Sequence, residues 1–369
     1  MKKVLFILHY PPPVHGAAMV GQYIRESEKV NSAFDCQYIN LGTSERVDEI
    51  GKGGLKKWLR FFAIFWQTFK SLLIFRPQLV YFTLTASGVG FYKDAVIALL
   101  AKLFRKKVVY HFHNKGVRNR QDKWFDSLLY KIVFRNSEVI LLAKELYADV
   151  EKYVPENSVN YCPNGIPNIT IPKGIITNSK VAEILFLSNL IASKGVTVLL
   201  EACKILKAKK LPFVCTFIGG EGDITAVDFQ RQLKSFALES HVKYVGKKYG
   251  ADKERSYAAA DIFTLPTHYP NECFPLVLIE AMQFSLPLVS TFEGGIPSLI
   301  AHGKTGFLVP QHDATALADK LEQLILDPSL RAKMGHAGRE QYESALTLVA
   351  FEERFTSILH KILNKSGPS

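Results

Sequence analysis

Short apolar runs alternate along this chain with longer stretches of helical period. VLFIL (4–8), LVYFTL (79–84), KVVYHFH (107–113) and EVILLA (138–143) form a first set. After a break the pattern resumes with EILFLS (183–188), FVCTFIG (213–219), HVKYVG (241–246), DIFTLP (261–266) and PLVST (287–291). Such near-continuous runs, rich in β-branched residues, predict parallel strands buried on both faces, with the intervening helices as crossovers. The fold class is therefore α/β, with two Rossmann-like, doubly wound parallel-sheet domains. The join falls near 164–181, where NGIPNITIPKGIITNSK packs Pro, Gly, Asn and Thr between the two sets. Domains are expected at 1–170 and 171–345. A terminal helix at 346–369 carries apolar positions Leu346, Leu348, Val349, Phe351, Phe355, Ile358, Leu359 and Ile362, and can pack on either domain, including back on the first.

Length and composition agree with two domains, since 369 residues with 48% hydrophobic content can bury sizeable cores. MKKVLFIL has two lysines like a signal peptide, but its apolar run is five residues long and HYPPP follows, so it reads as a first buried strand. No uninterrupted apolar stretch has the length of a membrane-spanning helix. The five cysteines are scattered and show no CxxC spacing, which suggests neither a disulfide framework nor a zinc site and fits a reducing cytosol. A cytoplasmic protein is expected, at most peripheral at the inner face of the cell membrane.

The net charge of +12 calls for an acidic partner: a phosphorylated ligand, an anionic membrane face or nucleic acid. Nucleic acid is disfavoured because the basic residues are dispersed and no zinc-finger or RNP-type pattern is present. FIGGEGD (217–223) does not satisfy G-x-G-x-x-G, so its glycines read as a turn after a strand rather than an NAD fingerprint. No Asp-x-Asp occurs, so a metal clamp has no evident ligands and no cofactor or metal is expected.

The segment THYPNECFPLVLIEAMQFSLPLVST (267–291) carries the most information. Pro275 suits the first turn of a helix that runs through Glu280 and Met282, and the amino end of that helix would offer free amides to an anion. Glu272 precedes the helix and Glu280 lies on its second turn, at most about 12 Å apart at a helical rise per residue. By spacing alone, these glutamates are equally consistent with a dipole-favoured carboxylate and a solvated one.

The segment resembles the family 4 retaining glycosyltransferases, whose hallmark is E-x7-E followed by an alanine-containing helix and a glycine pair. Here these are Glu272, CFPLVLI, Glu280 and AM, then Gly294-Gly295-Ile296-Pro297 and HGKTGFLVP at 302–310. YPPPVHGAA (10–18), RPQLVYF (76–82), YHFHN (110–114) and PNGIP (163–167) resemble further family segments, so the likeness covers nearly the whole chain. The resemblance implies a GT-B architecture, two domains facing across a cleft, with the donor held mainly by the second domain and the acceptor by the first. It implies that Gly16 lets backbone approach the donor phosphates, that Lys194 pairs with the diphosphate, and that Glu280 binds ribose hydroxyls. Glu272 would bind hydroxyls of the transferred sugar, and Phe274, Pro275, Leu276 and Val277 would complete the donor site.

His111 and His113 alternate on one strand and share a face. The pattern alone is equally consistent with one structural histidine and one exposed at the strand end; by resemblance His113 is the candidate nearest the reacting sugar carbon, with His15 as second choice. The family's arginine five positions before Lys194 is replaced by Asn189, which lacks the charge and the bidentate fork.

LKKWLRFFAIFWQTFKSLLIF (55–75) is apolar on almost every face, which predicts a helix buried in the first domain. The alternative is a helix that docks on anionic lipid through Lys56, Lys57 and Arg60, assisted by Arg105-Lys106-Lys107.

The expected function is sugar transfer from a nucleotide-diphosphate donor to a glycan or lipid-linked acceptor in bacterial surface polysaccharide synthesis. Anomeric configuration would be retained and no metal required. Competing readings are a GT-B nucleotide-sugar epimerase, a sugar-nucleotide-binding subunit that has lost turnover, motivated by Asn189, and a peripheral membrane-binding protein without catalysis.

Overall fold

In the computed structural model, residues 1–12, 14–42, 55–170 and 181–365 are described. Two compact units emerge, Met1–Gly165 with Leu348–Ser369, and Ile166–Thr347. The division falls five residues before the position expected from the Pro/Gly-rich stretch, of which 171–180 lies outside the described residues.

The first unit carries a parallel sheet of β1 (Lys2–Leu8), β2 (Phe34–Asn40), β3 (Leu79–Phe82), β4 (Lys107–His111), β5 (Glu138–Leu141) and β6 (Val159–Tyr161), in the order β2-β1-β3-β4-β5-β6. Its centre is dry: Val4 to Leu8 and Leu79 to Phe82 are fully buried, as both-face burial of a parallel strand requires. The helix Leu348–Asn364 belongs to this unit. Phe355 stacks edge-on against Tyr81 at 5.2 Å between centroids and also meets Phe6, while Lys361 donates to Asn160 at 3.0 Å.

The second unit repeats the plan with β7 (Ala182–Leu187), β8 (Phe213–Ile218), β9 (Val242–Tyr244), β10 (Ile262–Leu265), β11 (Leu288–Thr291) and β12 (Gly306–Val309), in the order β12-β11-β10-β7-β8-β9. All its pairings are parallel. After β7 the chain builds outward through β8 and β9. It then returns to the other side of β7 and builds outward again through β10, β11 and β12. The strand order thus reverses between β7 and β10, and in the first unit between β1 and β3. In open α/β sheets such switch points open a crevice at the carboxyl ends of the strands, where ligands bind.

The helix Leu55–Ile74 corrects the expectation of burial. Phe61, Ile64, Thr68, Ser71 and Leu72 face the unit. Trp58, Leu59, Phe62, Trp66 and Leu73 are 46–63% exposed. The exposed positions recur at helical spacing, so the all-round apolar sequence resolves into one stripe packed on the unit and another facing outward. Among the described residues no helix is long and apolar enough to cross a membrane.

Candidate functional site

The loops after β7 and β10 meet at the switch point of the second unit. Lys194 follows β7 and Glu272 follows β10, and Lys194 Nζ lies 2.6 Å from Glu272 Oε2. Their side chains are only 17% and 9% exposed, so the pair is largely removed from solvent. The ammonium also lies 4.4 Å from the centre of the Tyr269 ring, a cation–π contact.

Backbone bonds hold the two loops together. His268 N donates to Ser193 O at 2.8 Å, and Thr267 Oγ1 donates to the same carbonyl at 3.3 Å. Gly195 has φ +90, and a Cβ there would stand 2.2 Å from Pro266 O. Only glycine permits both that backbone conformation and that approach. Gly294, at φ +55, backs onto Glu272 O in the same way, with a would-be Cβ 2.3 Å away. Gly295 N then donates to Cys273 O at 2.6 Å. The glycine pair of the sequence therefore supports the Glu272 loop from behind.

The helix begins one residue later than the sequence suggested. It spans Leu276–Gln283 with Pro275 as its N-cap at ψ 122, and no side chain caps it. Proline has no N–H to satisfy at that position, so the first amides, at Leu276 and Val277, carry the positive end of the helix dipole. Phe274 and Pro275 are buried beneath this turn. Glu280 lies on the second turn, where Lys253 Nζ donates to Oε1 at 2.7 Å and Tyr257 OH donates to Oε2 at 2.8 Å. Burial and the neighbouring carboxylate push the Tyr257 phenol well above its ordinary value, so it remains a neutral donor. A carboxylate has about four lone-pair positions, so two remain for ligand hydroxyls.

Lys253, Tyr257 and Tyr269 were not identified from sequence. Lys253 and Tyr257 lie four residues apart on the helix Gly250–Ala258, a spacing that places them on one face but says nothing of what they meet. Asn189 follows β7 and its Oδ1 accepts from Gly220 N at 3.0 Å. Its role in the structure is to hold the turn after β8.

In the first unit, the loop after β1 carries His9 and His15, and His113 follows β4. His15 caps the helix Gly16–Glu26, with Nδ1 accepting from Ala18 N at 3.4 Å. Gly16 opens that helix, and a Cβ there would meet nothing within 4 Å. Gly21 is the tight position, since its Cβ would fall 1.8 Å from His9 O. His111 is buried and bonded through Nδ1 to Tyr81 OH at 2.7 Å, which makes it the structural histidine of the pair. His113 packs on it at 4.3 Å between ring centroids. Burial, with His9 and His15 nearby, pushes the His113 imidazole down to about 3. Burial likewise pushes His9 down to about 4, so both are neutral at pH 7. No group of His, Cys, Asp and Glu suited to a metal ion occurs among the described residues.

A family model described as "Glycosyl transferases group 1" matches residues 169–341, which contain every second-unit residue discussed above. The capsular polysaccharide biosynthesis glycosyltransferase CapM of Staphylococcus aureus is 25% identical over 331 residues, 85% of each chain. The amylovoran biosynthesis glycosyltransferase AmsK of Erwinia amylovora is 32% identical over 233 residues, 60% of this chain and 56% of its own. Two further relatives are matched over 66% of their own length. The crystal structure of HepE from Anabaena in complex with UDP superposes with a TM-score of 0.75 at 17% identity, covering 98% of this chain and 100% of that one. Such a structural likeness speaks for the fold: this chain has the GT-B fold, and its residues 169–341 match the group 1 glycosyltransferases.

Proposed function

We propose that this protein transfers a glycosyl group from a nucleotide-diphosphate sugar to a glycan or lipid-linked acceptor in bacterial surface polysaccharide synthesis. Anomeric configuration is retained, and no metal ion takes part. The observation that carries the reading is the meeting of Lys194, Glu272 and the uncapped start of the helix Leu276–Gln283 at the switch point of the second sheet. The helix dipole and Lys194 stabilise the diphosphate as negative charge grows on it. Glu280, oriented by Lys253 and Tyr257, accepts from ribose hydroxyls, and Glu272 accepts from the sugar. The acceptor oxygen bonds to the anomeric carbon on the face from which the diphosphate oxygen departs, and the leaving diphosphate takes the acceptor's proton. The family resemblance assigns His113 to the sugar and Gly16 to the phosphates. The relatives' names favour transfer over the epimerase reading.

Thermal unfolding against a panel of nucleotide diphosphates and their sugars, with and without EDTA, tests the donor site. A ligand at 100 times its dissociation constant stabilises by about 2.7 kcal/mol. One nucleotide sugar should raise the midpoint in EDTA, and Glu280→Ala should remove the shift. No shift with any of them, or a shift that vanishes in EDTA, overturns the reading.

The first unit contacts an anionic bilayer in the same proposal. The stripe of Trp58, Leu59, Phe62 and Trp66 is exposed beside Lys56, Lys57 and Arg60. The crossovers from β2 to β3, β3 to β4 and β4 to β5 all step the same way across the sheet, so right-handed connections put their helices on one face. The other two, Gly88–Leu103 and Trp124–Phe134, expose Val96 and Leu103, and Trp124, Phe125 and Leu128. Apolar anchors with adjacent cations suit a bilayer surface rich in anionic lipid. Protein should co-sediment with phosphatidylglycerol vesicles and lose this binding on Trp58→Ser with Trp66→Ser. Absence of wild-type binding overturns the contact while leaving the donor site untouched.

A further inference from the structure

The donor reading leaves a deficit of positive charge. A sugar-linked diphosphate bears a negative charge on each phosphoryl group, and another develops as the sugar departs. Lys194 is already engaged by Glu272, and Lys253 by Glu280. Position 189, where the family resemblance implies an arginine, holds a neutral amide whose oxygen is committed to Gly220 N.

A different lysine arrives at the same place from another strand. Gly246 and Lys247 follow the carboxyl end of β9. The turn after β8 is bonded to this segment: Gly219 N donates to Gly246 O at 3.0 Å, Val245 N to Phe217 O at 3.1 Å, and Tyr244 OH to Gly219 O at 3.0 Å. Lys247 thereby lies over Gly220. A Cβ built on Gly220 would stand 2.2 Å from Lys247 Cε, 3.2 Å from Lys247 Nζ and 3.2 Å from Asn189 Oδ1. The ammonium of Lys247 and the amide of Asn189 therefore border one spot at the carboxyl edge of the sheet. Among the described residues no carboxylate pairs with Lys247, which is exposed.

We propose that Lys247 supplies the second cation that holds the donor's diphosphate, from a different strand than the arginine that Asn189 replaces. This rests on the donor reading above. Asn189 locks the turn after β8, and Lys247 contributes the charge. An ammonium is a point charge without arginine's fork, so it favours the phosphoryl groups electrostatically while imposing less orientation.

Calorimetric titration with UDP, GDP, ADP and TDP, and with their monophosphates, tests the assignment. For the nucleotide that binds, Lys247→Gln should weaken the diphosphate about tenfold and the monophosphate less than threefold. Lys247→Arg should retain affinity, and Asn189→Arg added to Lys247→Gln should restore it. Lys247→Gln protein that binds the diphosphate within twofold of wild type, while Glu280→Ala has lost it, overturns the role of Lys247 and leaves the donor site standing. Wild-type protein that binds none of the four overturns the donor reading and this inference with it.

Discussion

The two units solve the same topological problem with opposite electrostatics. Each has a six-stranded parallel sheet with a switch point, and each gathers polar side chains on the loops and helices beyond its carboxyl edge. In the second unit these are charged and paired, Lys194 with Glu272 and Lys253 with Glu280. In the first they are histidines, His9, His15 and His113, kept neutral by burial and, for His9 and His113, by the neighbouring imidazoles. A site for a phosphorylated donor needs fixed charge, held in place by counter-charges and hydrogen bonds. A cluster of neutral imidazoles offers hydrogen bonding to hydroxyls without such charge. Fold alone does not assign chemistry to either edge; the loop residues do.

The contrast is broken most strongly at Lys194. Lys194→Ala leaves the Glu272 carboxylate buried and unpaired, which should cost about 3 kcal/mol of stability and abolish transfer. Lys194→Arg should recover most of the stability in urea denaturation. Equal stability of Lys194→Ala and wild type would show that the pair is solvated.

The histidine edge responds to pH instead. The folded-state values of His9 and His113 lie below the ordinary 6.5, so between about pH 4 and 6.5 the unfolded chain binds more protons than the native one. Their contribution is complete above pH 6.5 and is lost as pH falls, toward about 4 for His9 and about 3 for His113, by up to about 1 kcal/mol per pH unit for each. Chemical denaturation across that window should show a slope that flattens in His113→Gln. An unchanged slope would mean that His113 titrates near its ordinary value in the fold.

The smallest effect sharpens the charged edge. Tyr257→Phe removes one hydrogen bond to Glu280 Oε2, worth about 1 kcal/mol, and should weaken nucleotide binding several-fold in the same titrations. Binding equal to wild type would show that Lys253 alone orients Glu280.

The strands that escaped the apolar-run reading are β2, β6 and β12, and all three lie at sheet edges. An edge strand pairs on one side only, so β2, FDCQYIN, mixes exposed and buried positions and breaks the hydrophobic run that marks an inner strand. β6, VNY, has a polar residue at its centre, and β12, GFLV, opens on a glycine, so neither shows the longer apolar run that marks an inner strand. The E-x7-E segment and the glycine pair were legible because they are local, contained in one strand–loop–helix passage. Lys253, Tyr257 and Lys247 were not, because what gives them meaning is a neighbour 27, 23 or 58 residues away in sequence.

The sequence by itself determined the α/β class, the two alternating halves, all the inner strands and the helix that starts beyond Pro275. Strand burial and helix starts are written in local period, proline and glycine, so short-range rules suffice for them. Only the tertiary structure decided which side of the helix Leu55–Ile74 faces outward, that the last helix joins the first unit, and that Asn189 locks a turn while Lys247 arrives above it. Those outcomes depend on strand order, which brings the ends of β7, β8, β9 and β10 to one edge of the sheet, and no spacing along the chain encodes that order.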